Sequence, residues 1–376
     1  MSVSGDTGIV DGQGRYALPG LIDCHVHPFL SETDLSRLAE VPPTLMTARA
    51  IGILEGMLMR GFTSVRDAAG ADWGIRKAVE DGVVVGPRLY IAGCALSQTG
   101  GHGDFRRLTE ETSPCSCAHA LAFASRIADG VDEVRKAVRD ELRKGADQIK
   151  IMVSGGISSP HDPLECDQYS PEEIRVIVSE AERRGTYVMA HAYGASAIKT
   201  ALECGVRSIE HGNLIDADSA KLAADKNAFL VPTLVTYEVL NDTTAQSGWL
   251  PGMLQKLQRV REAGLNAIEL CQTHGVKLGF GTDLLGDSFE HQSREFTIRA
   301  QVQEPRDIIR SATRINAEII QEQDRLGILK PGALADIILL NQNPFDDVEV
   351  FLDPGRHIPF VMKEGTIFKN QISERQ

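Results

Sequence analysis

Residues 19–28 read PGLIDCHVHP, and this stretch decides the fold. Pro19 and Gly20 close a turn, and Leu21 and Ile22 open an apolar strand that runs to His27. Side chains alternate along a strand, so His25 and His27 project to one face, where they can grip a single ion. Taken alone, a His-x-His pair is also compatible with an ordinary structural role.

Outward from this strand, short β-branched runs alternate with longer amphipathic segments from residue 21 to about residue 318. The runs are 21–27, 62–68, 88–97, 148–154, 186–193, 208–213, 229–237 and 277–283. Eight strands separated by helices predict a (β/α)8 TIM-type barrel of the α/β class. Between them, VDEVRKAVRDELRK places Val131, Val134, Val138 and Leu142 on one helical face. In YSPEEIRVIV, Ser170 is the expected cap, Pro171 suits the first helical position and Glu173 completes a capping box.

After the barrel, DRLGILKPGALADIILLNQNPF and HIPFVMKEGTIFK read as short strands with Pro, Gly and Asn turns. The expected division is residues 1–18 as a remnant of a small β domain, 19–322 as the barrel and 323–376 as the rest of that domain. The small domain is expected to be an incomplete β-sandwich made by the two termini, since only GIVDGQGRYAL stands before PGLID. That leaves its apolar strands short of cover.

The 376 residues suffice for one barrel and an accessory. With 39 Lys and Arg against 52 Asp and Glu, the net charge of -13 disfavours nucleic acid and anionic membranes. No run approaches the ~20 apolar residues of a membrane span, and MSVSGDTGIVDG lacks the regions of a secretory signal. A cytoplasmic protein is expected. The seven cysteines read as free thiols. Cys115, Cys117 and His119 offer three zinc-type ligands without a nearby fourth, which favours a plain loop.

Ionisable groups at the C-terminal ends of barrel strands are candidates for chemistry. Lys150 interrupts the apolar run QIKIMVS, and reads either as a group paired inside the barrel or as a lysine reaching solvent. His191 and His211 end consecutive strands, 20 residues apart. Asp283, in LGFGTD, is placed to bind metal or to cap the next helix.

The series His-x-His, Lys, His, His, Asp on strands one, four, five, six and eight resembles the binuclear amidohydrolase superfamily. PGLIDCHVHP and FGTD carry the resemblance most specifically. GGHGD at 100–104, KIMVSGGISS at 150–159 and AHAYG at 190–194 are similar to the branch with Xaa-Pro, Xaa-Arg and Xaa-Lys dipeptidases, imidazolonepropionase relatives and ochratoxinase-like amidases.

That resemblance implies two divalent ions, zinc being the expected metal, with manganese or cobalt also suited. His25, His27 and Asp283 would hold one, His191 and His211 the other, and an N6-carboxylated Lys150 would bridge them. It implies attack by a metal-activated hydroxide, with Asp283 as proton shuttle. His102 is a candidate catalytic and substrate-binding residue; Gly155 and Gly156, through backbone N–H groups, and Tyr237, through its phenol, are candidates for holding a substrate carboxylate. The expected activity is cleavage of an amide or peptide bond beside a free carboxylate, in a dipeptide, an N-acyl amino acid or an ochratoxin-like amide, by a homo-oligomer. Opening of a cyclic amide or deamination is the rival enzyme reading. A catalytically silent scaffold is the third, opposed by the six filled ligand positions.

Overall fold

The computed structural model describes residues 9–32, 35, 38, 41–106, 124–159, 162–247 and 249–372. Cys115, Cys117 and His119 lie outside the described residues. The barrel strands are β2 (Leu21–Val26), β3 (Phe62–Asp67), β4 (Arg88–Tyr90), β5 (Ala95–Ser97), β7 (Ile149–Met152), β8 (Val188–Gly194), β9 (Ser208–Leu214), β10 (Phe229–Val231) and β11 (Lys277–Leu278). They pair in parallel as β2-β3-β4 and as β11-β10-β9-β8-β7-β5, with β6 (Ser125–Ile127) added beside β5.

Backbone bonds close the two arcs into a barrel. Cys24 N–H donates to Phe280 O at 2.8 Å and Asp283 N–H to His25 O at 2.8 Å, while Asp147 N–H reaches Ile91 O at 2.7 Å. The chain after β11 therefore continues alongside β2 as far as Asp283, although its regular ladder is only two residues long.

Two predicted strands need correction. The run 88–97 is broken between β4 and β5, where Gly93 turns at φ 70°. The run 229–237 is a strand only to Val231. Pro232 has no N–H to extend a ladder, and a helix, Leu234–Ser247, follows at once. Tyr237 thus stands on a helix.

The outer helices follow the expected pattern. Gly130–Arg143 buries Val134, Val138 and Leu142, with Ala137 and Glu141 beside them, while Val131, in the first turn, is half-buried. Pro171–Glu182 begins with the full capping box between Ser170 and Glu173, a device contributing about 1 kcal/mol.

The termini form one antiparallel sheet, ordered β1 (Tyr16–Pro19), β12 (Ile337–Leu340), β13 (Phe360–Lys363) and β14 (Thr366–Asn370). Ile338, Leu340 and Val361 pack into the same apolar cluster as Leu58 and Phe62, so the middle strands are covered by the barrel. Exposed apolar side chains occur towards the sheet edges, at Tyr16 and Ile367. Among the described residues no helix is long and apolar enough to cross a membrane.

Candidate metal centre

The barrel brings all six predicted ligands to one pocket. His25 on β2, His27 just after it, Lys150 on β7, His191 on β8, His211 on β9 and Asp283 beyond β11 line its floor. Above them stand Leu30, Leu35, Phe105, Ile157, Leu240 and Trp249 as an apolar wall. His25 Nε2 lies 3.4 Å and His27 Nε2 3.2 Å from Asp283 Oδ1, and Lys150 Nζ is 3.5 Å from His25 Nε2.

Hydrogen bonds behind the rings say which nitrogen each one offers. His25 Nδ1 meets the Glu210 carboxylate at 2.7 Å and His27 Nδ1 meets Ala69 O at 3.0 Å. Carboxylate and carbonyl oxygens only accept, so both Nδ1 atoms donate and each ring turns its Nε2 towards the Asp283 carboxylate. By the same logic His191 donates Nε2–H to Gly155 O at 3.2 Å and keeps Nδ1 bare. His211 Nδ1 is tied to Thr233 Oγ1 at 2.8 Å. Imidazole nitrogens and the Asp283 carboxylate therefore converge on one point of the floor, an arrangement that a cation completes. The donor chemistry fits divalent metal.

The electrostatics agree. Burial pushes His25 far below its ordinary range, reinforced by the Lys150 ammonium, and pushes His211 down to about 3. Burial likewise holds His191 well below the ordinary value. These rings are neutral at physiological pH, as ligands must be. Burial also lowers Lys150 to about 8, against the pull of Glu210 and Asp283. His25, His211 and Asp283 are close enough to share one ion, their donor atoms lying within 4.8 Å of one another. This trio spans both halves of the predicted division into two ligand sets.

What stands behind the predicted ligands is not apparent from the sequence pattern. Glu210 is fully buried and bridges His25 to Arg66, itself fully buried, at 2.8 Å. Strict alternation would place Glu210 and His211 on opposite faces, yet both serve the site. His211 adopts φ 73° and Gly212 φ 67°, which twists the end of β9 and turns the imidazole inward. The buried acid within SIEHGN was the available signal. Asp23, likewise buried, accepts from the backbone N–H of His25 at 3.1 Å and from Thr282 Oγ1 at 2.6 Å, and so ties the first ligand pair to the segment that carries Asp283.

The predicted substrate-binding residues fare differently. His102 lines the pocket, its ring stacked on His191 at 4.3 Å, and burial lowers it to about 4. Gly155 and Gly156 border the floor, but their N–H groups are already given to Cys166 O at 3.1 Å and Asp162 Oδ2 at 3.2 Å. What Gly156 supplies is room, since a Cβ there would fall 2.0 Å from the His102 ring. Tyr237 stands behind the lining, its hydroxyl 3.2 Å from that of Tyr193. Tyr193, which is not among the predicted site residues, is the phenol that faces the pocket and stacks on His211 at 5.2 Å.

With this geometry in view, the likeness to known proteins is specific. Residues 16–368 match the amidohydrolase family. A crystal structure of an amidohydrolase is 50% identical with a TM-score of 0.96, covering 99% of this chain and 91% of that one. A prolidase crystallised with N-methylphosphonate-L-proline is 50% identical at a TM-score of 0.93, covering 96% and 89%. Ochratoxinase from Aspergillus niger is 36% identical over 365 residues, 94% of this chain and 75% of its own length. A metal-type donor set at the mouth of a (β/α)8 barrel and a match running through nearly the whole chain lead to one conclusion: this protein belongs to the amidohydrolase family and is a hydrolase acting on C–N bonds.

Proposed function

We propose that the protein hydrolyses an amide or peptide bond beside a free carboxylate, in a dipeptide, an N-acyl amino acid or an ochratoxin-like amide. The observation that carries this reading is the convergence of imidazole nitrogens and the Asp283 carboxylate beneath an apolar wall. His25, His27 and Asp283 would hold one divalent ion, zinc by the character of the donors, and His191 and His211 a second. Lys150, buried and with its ammonium destabilised, suits conversion to a bridging N6-carboxylate. When bound, the ions would lower the pKa of a shared water and polarise the scissile carbonyl.

The chain's own residues then divide the work. Asp283 takes the proton released as water attacks and returns it to the leaving nitrogen. Leu30, Phe105, Leu240 and Trp249 exclude solvent and receive the apolar part of the substrate. Tyr193, backed by Tyr237, offers its hydroxyl to the carboxylate end. The prolidase and ochratoxinase relatives support this substrate class.

Amino-acid release from a panel of dipeptides and N-acyl amino acids, with zinc, manganese or cobalt supplied, tests the reading. Turnover that a chelator abolishes and metal restores is expected. No release from any member with any metal overturns it.

A further inference from the structure

Behind His102 a small polar assembly determines which ring nitrogen faces the substrate. His102 Nδ1 is 2.8 Å from Ser159 Oγ, and Ser159 Oγ in turn meets Asp162 Oδ1 in a short hydrogen bond. Asp162 Oδ2 accepts from Gly156 N–H at 3.2 Å and Gln168 Nε2 at 3.1 Å, while Gln168 Oε1 takes the backbone N–H of His102 at 2.9 Å. His102, Ser159, Asp162 and Gln168 are all buried. From outside, Lys256 on the helix Pro251–Thr273 donates to Gly156 O at 2.6 Å, Ser159 O at 2.6 Å and Asp162 O at 3.0 Å.

We propose that Lys256, Ser159 and Asp162 are positioning residues that hold His102 with its proton on Nδ1, so that Nε2 meets the substrate as a hydrogen-bond acceptor. Proton accounting carries the argument. A carboxylate only accepts, and Ser159 has a single hydroxyl proton, which goes to Asp162. The other acceptor within reach, Gly156 O, is at 3.5 Å. Ser159 oxygen must then accept from His102, and the Nδ1–H is fixed. In the neutral ring, Nε2 carries only a lone pair. It selects an N–H or O–H of the substrate, and not the carboxylate that Tyr193 serves in the function proposed above.

Lys256 is the clamp of this device. An ammonium has three protons, and here three carbonyls of one loop take them. Without it, those carbonyls would face one another with no donor and the loop would spread. The ring would follow, because it rests directly on the Gly156 backbone.

The substrate side of this inference rests on the hydrolytic reading; the tautomer does not, and the test separates them. Long-range proton–nitrogen spectra of zinc-loaded protein with 15N-labelled histidine rings report the tautomer, His102 being assigned from its absence in His102→Asn. The native protein is expected to show the Nδ1–H pattern, retained in Ser159→Thr and lost or mixed in Ser159→Ala and Lys256→Met. On the best amide of the panel, Ser159→Ala and Lys256→Met are each expected to lower kcat/KM roughly tenfold, as for one lost hydrogen bond, with little further loss in a His102→Asn background. An Nε2–H pattern in the native protein, or an unchanged tautomer in both variants, overturns the proposal. Fully additive kinetic losses overturn the positioning role. If no amide is turned over, the hydrolytic reading falls while the spectra still decide the tautomer. If Lys256→Met does not fold, Ser159→Ala decides.

Discussion

The floor of the pocket and its His102 wall hold their histidines by different means. On the floor, His25 is backed by Glu210 and Arg66, both wholly inside the barrel, and the rings sit at the ends of hydrogen-bonded strands. On the wall, His102 leans on the loop around Gly156, Ser159 and Asp162, secured by a half-buried lysine from an outer helix. The floor's geometry is thus part of the fold itself, whereas the wall can be altered by changing a loop and one clamp. Under the proposed function, reaction chemistry would sit on the rigid part and selectivity on the adjustable one.

The sharpest break in this contrast is expected from Asp283→Asn. It removes the proposed proton shuttle and should lower kcat by about 10³-fold with metal content largely kept. Metal analysis beside steady-state kinetics checks it, and undiminished turnover would reject the shuttle role. Glu210→Gln should damage floor and fold together. It weakens the partner of a buried Arg66, at about 3–5 kcal/mol for a broken buried pair, and reduces metal affinity about 10–100-fold through His25. Denaturant unfolding and zinc titration measure the two effects.

A wall variant should separate what Glu210→Gln joins. Gly156→Ala pushes a methyl group into the His102 ring, so kcat/KM is expected to fall by up to about 10²-fold while zinc affinity stays unchanged. A matching loss of zinc would erase the distinction between the two regions. The smallest effect on turnover is expected at Glu295, whose carboxylate accepts Val235 N–H at 2.7 Å at the start of the helix that carries Leu240. Burial raises this group from 4.5 to about 8, despite the nearby Arg299. The folded state therefore binds the extra proton. Its stabilising contribution is complete below about 4.5 and is lost as pH rises to about 8. Glu295→Gln should flatten that part of the stability profile, measured by denaturant unfolding across the pH range.

The floor was legible because its signals are periodic. Histidines two apart on a strand share a face, and His191, His211 and Asp283 fall where barrel strands end. Boundaries were less legible where one residue overrides a pattern: Pro232 stops an apolar run that otherwise reads as strand to Tyr237, and Gly93 splits β4 from β5. Glu210 was hidden by the same alternation that revealed His25 and His27, since a twisted strand end breaks the rule at His211. Lys256 was invisible for another reason. In sequence it is one more charge on an amphipathic helix, and only the folded loop supplies the carbonyls that give it a role.

Two floor residues, His211 at φ 73° and Asp283 at φ 52°, hold a left-handed backbone that side-chain-bearing residues adopt at a cost of about 1–3 kcal/mol. Glycine would relieve that strain at either position and erase a proposed ligand. A laboratory evolution campaign rewarded only for heat resistance would therefore drift towards sturdier, inert barrels at these two codons. Screening has to demand turnover and endurance in the same round.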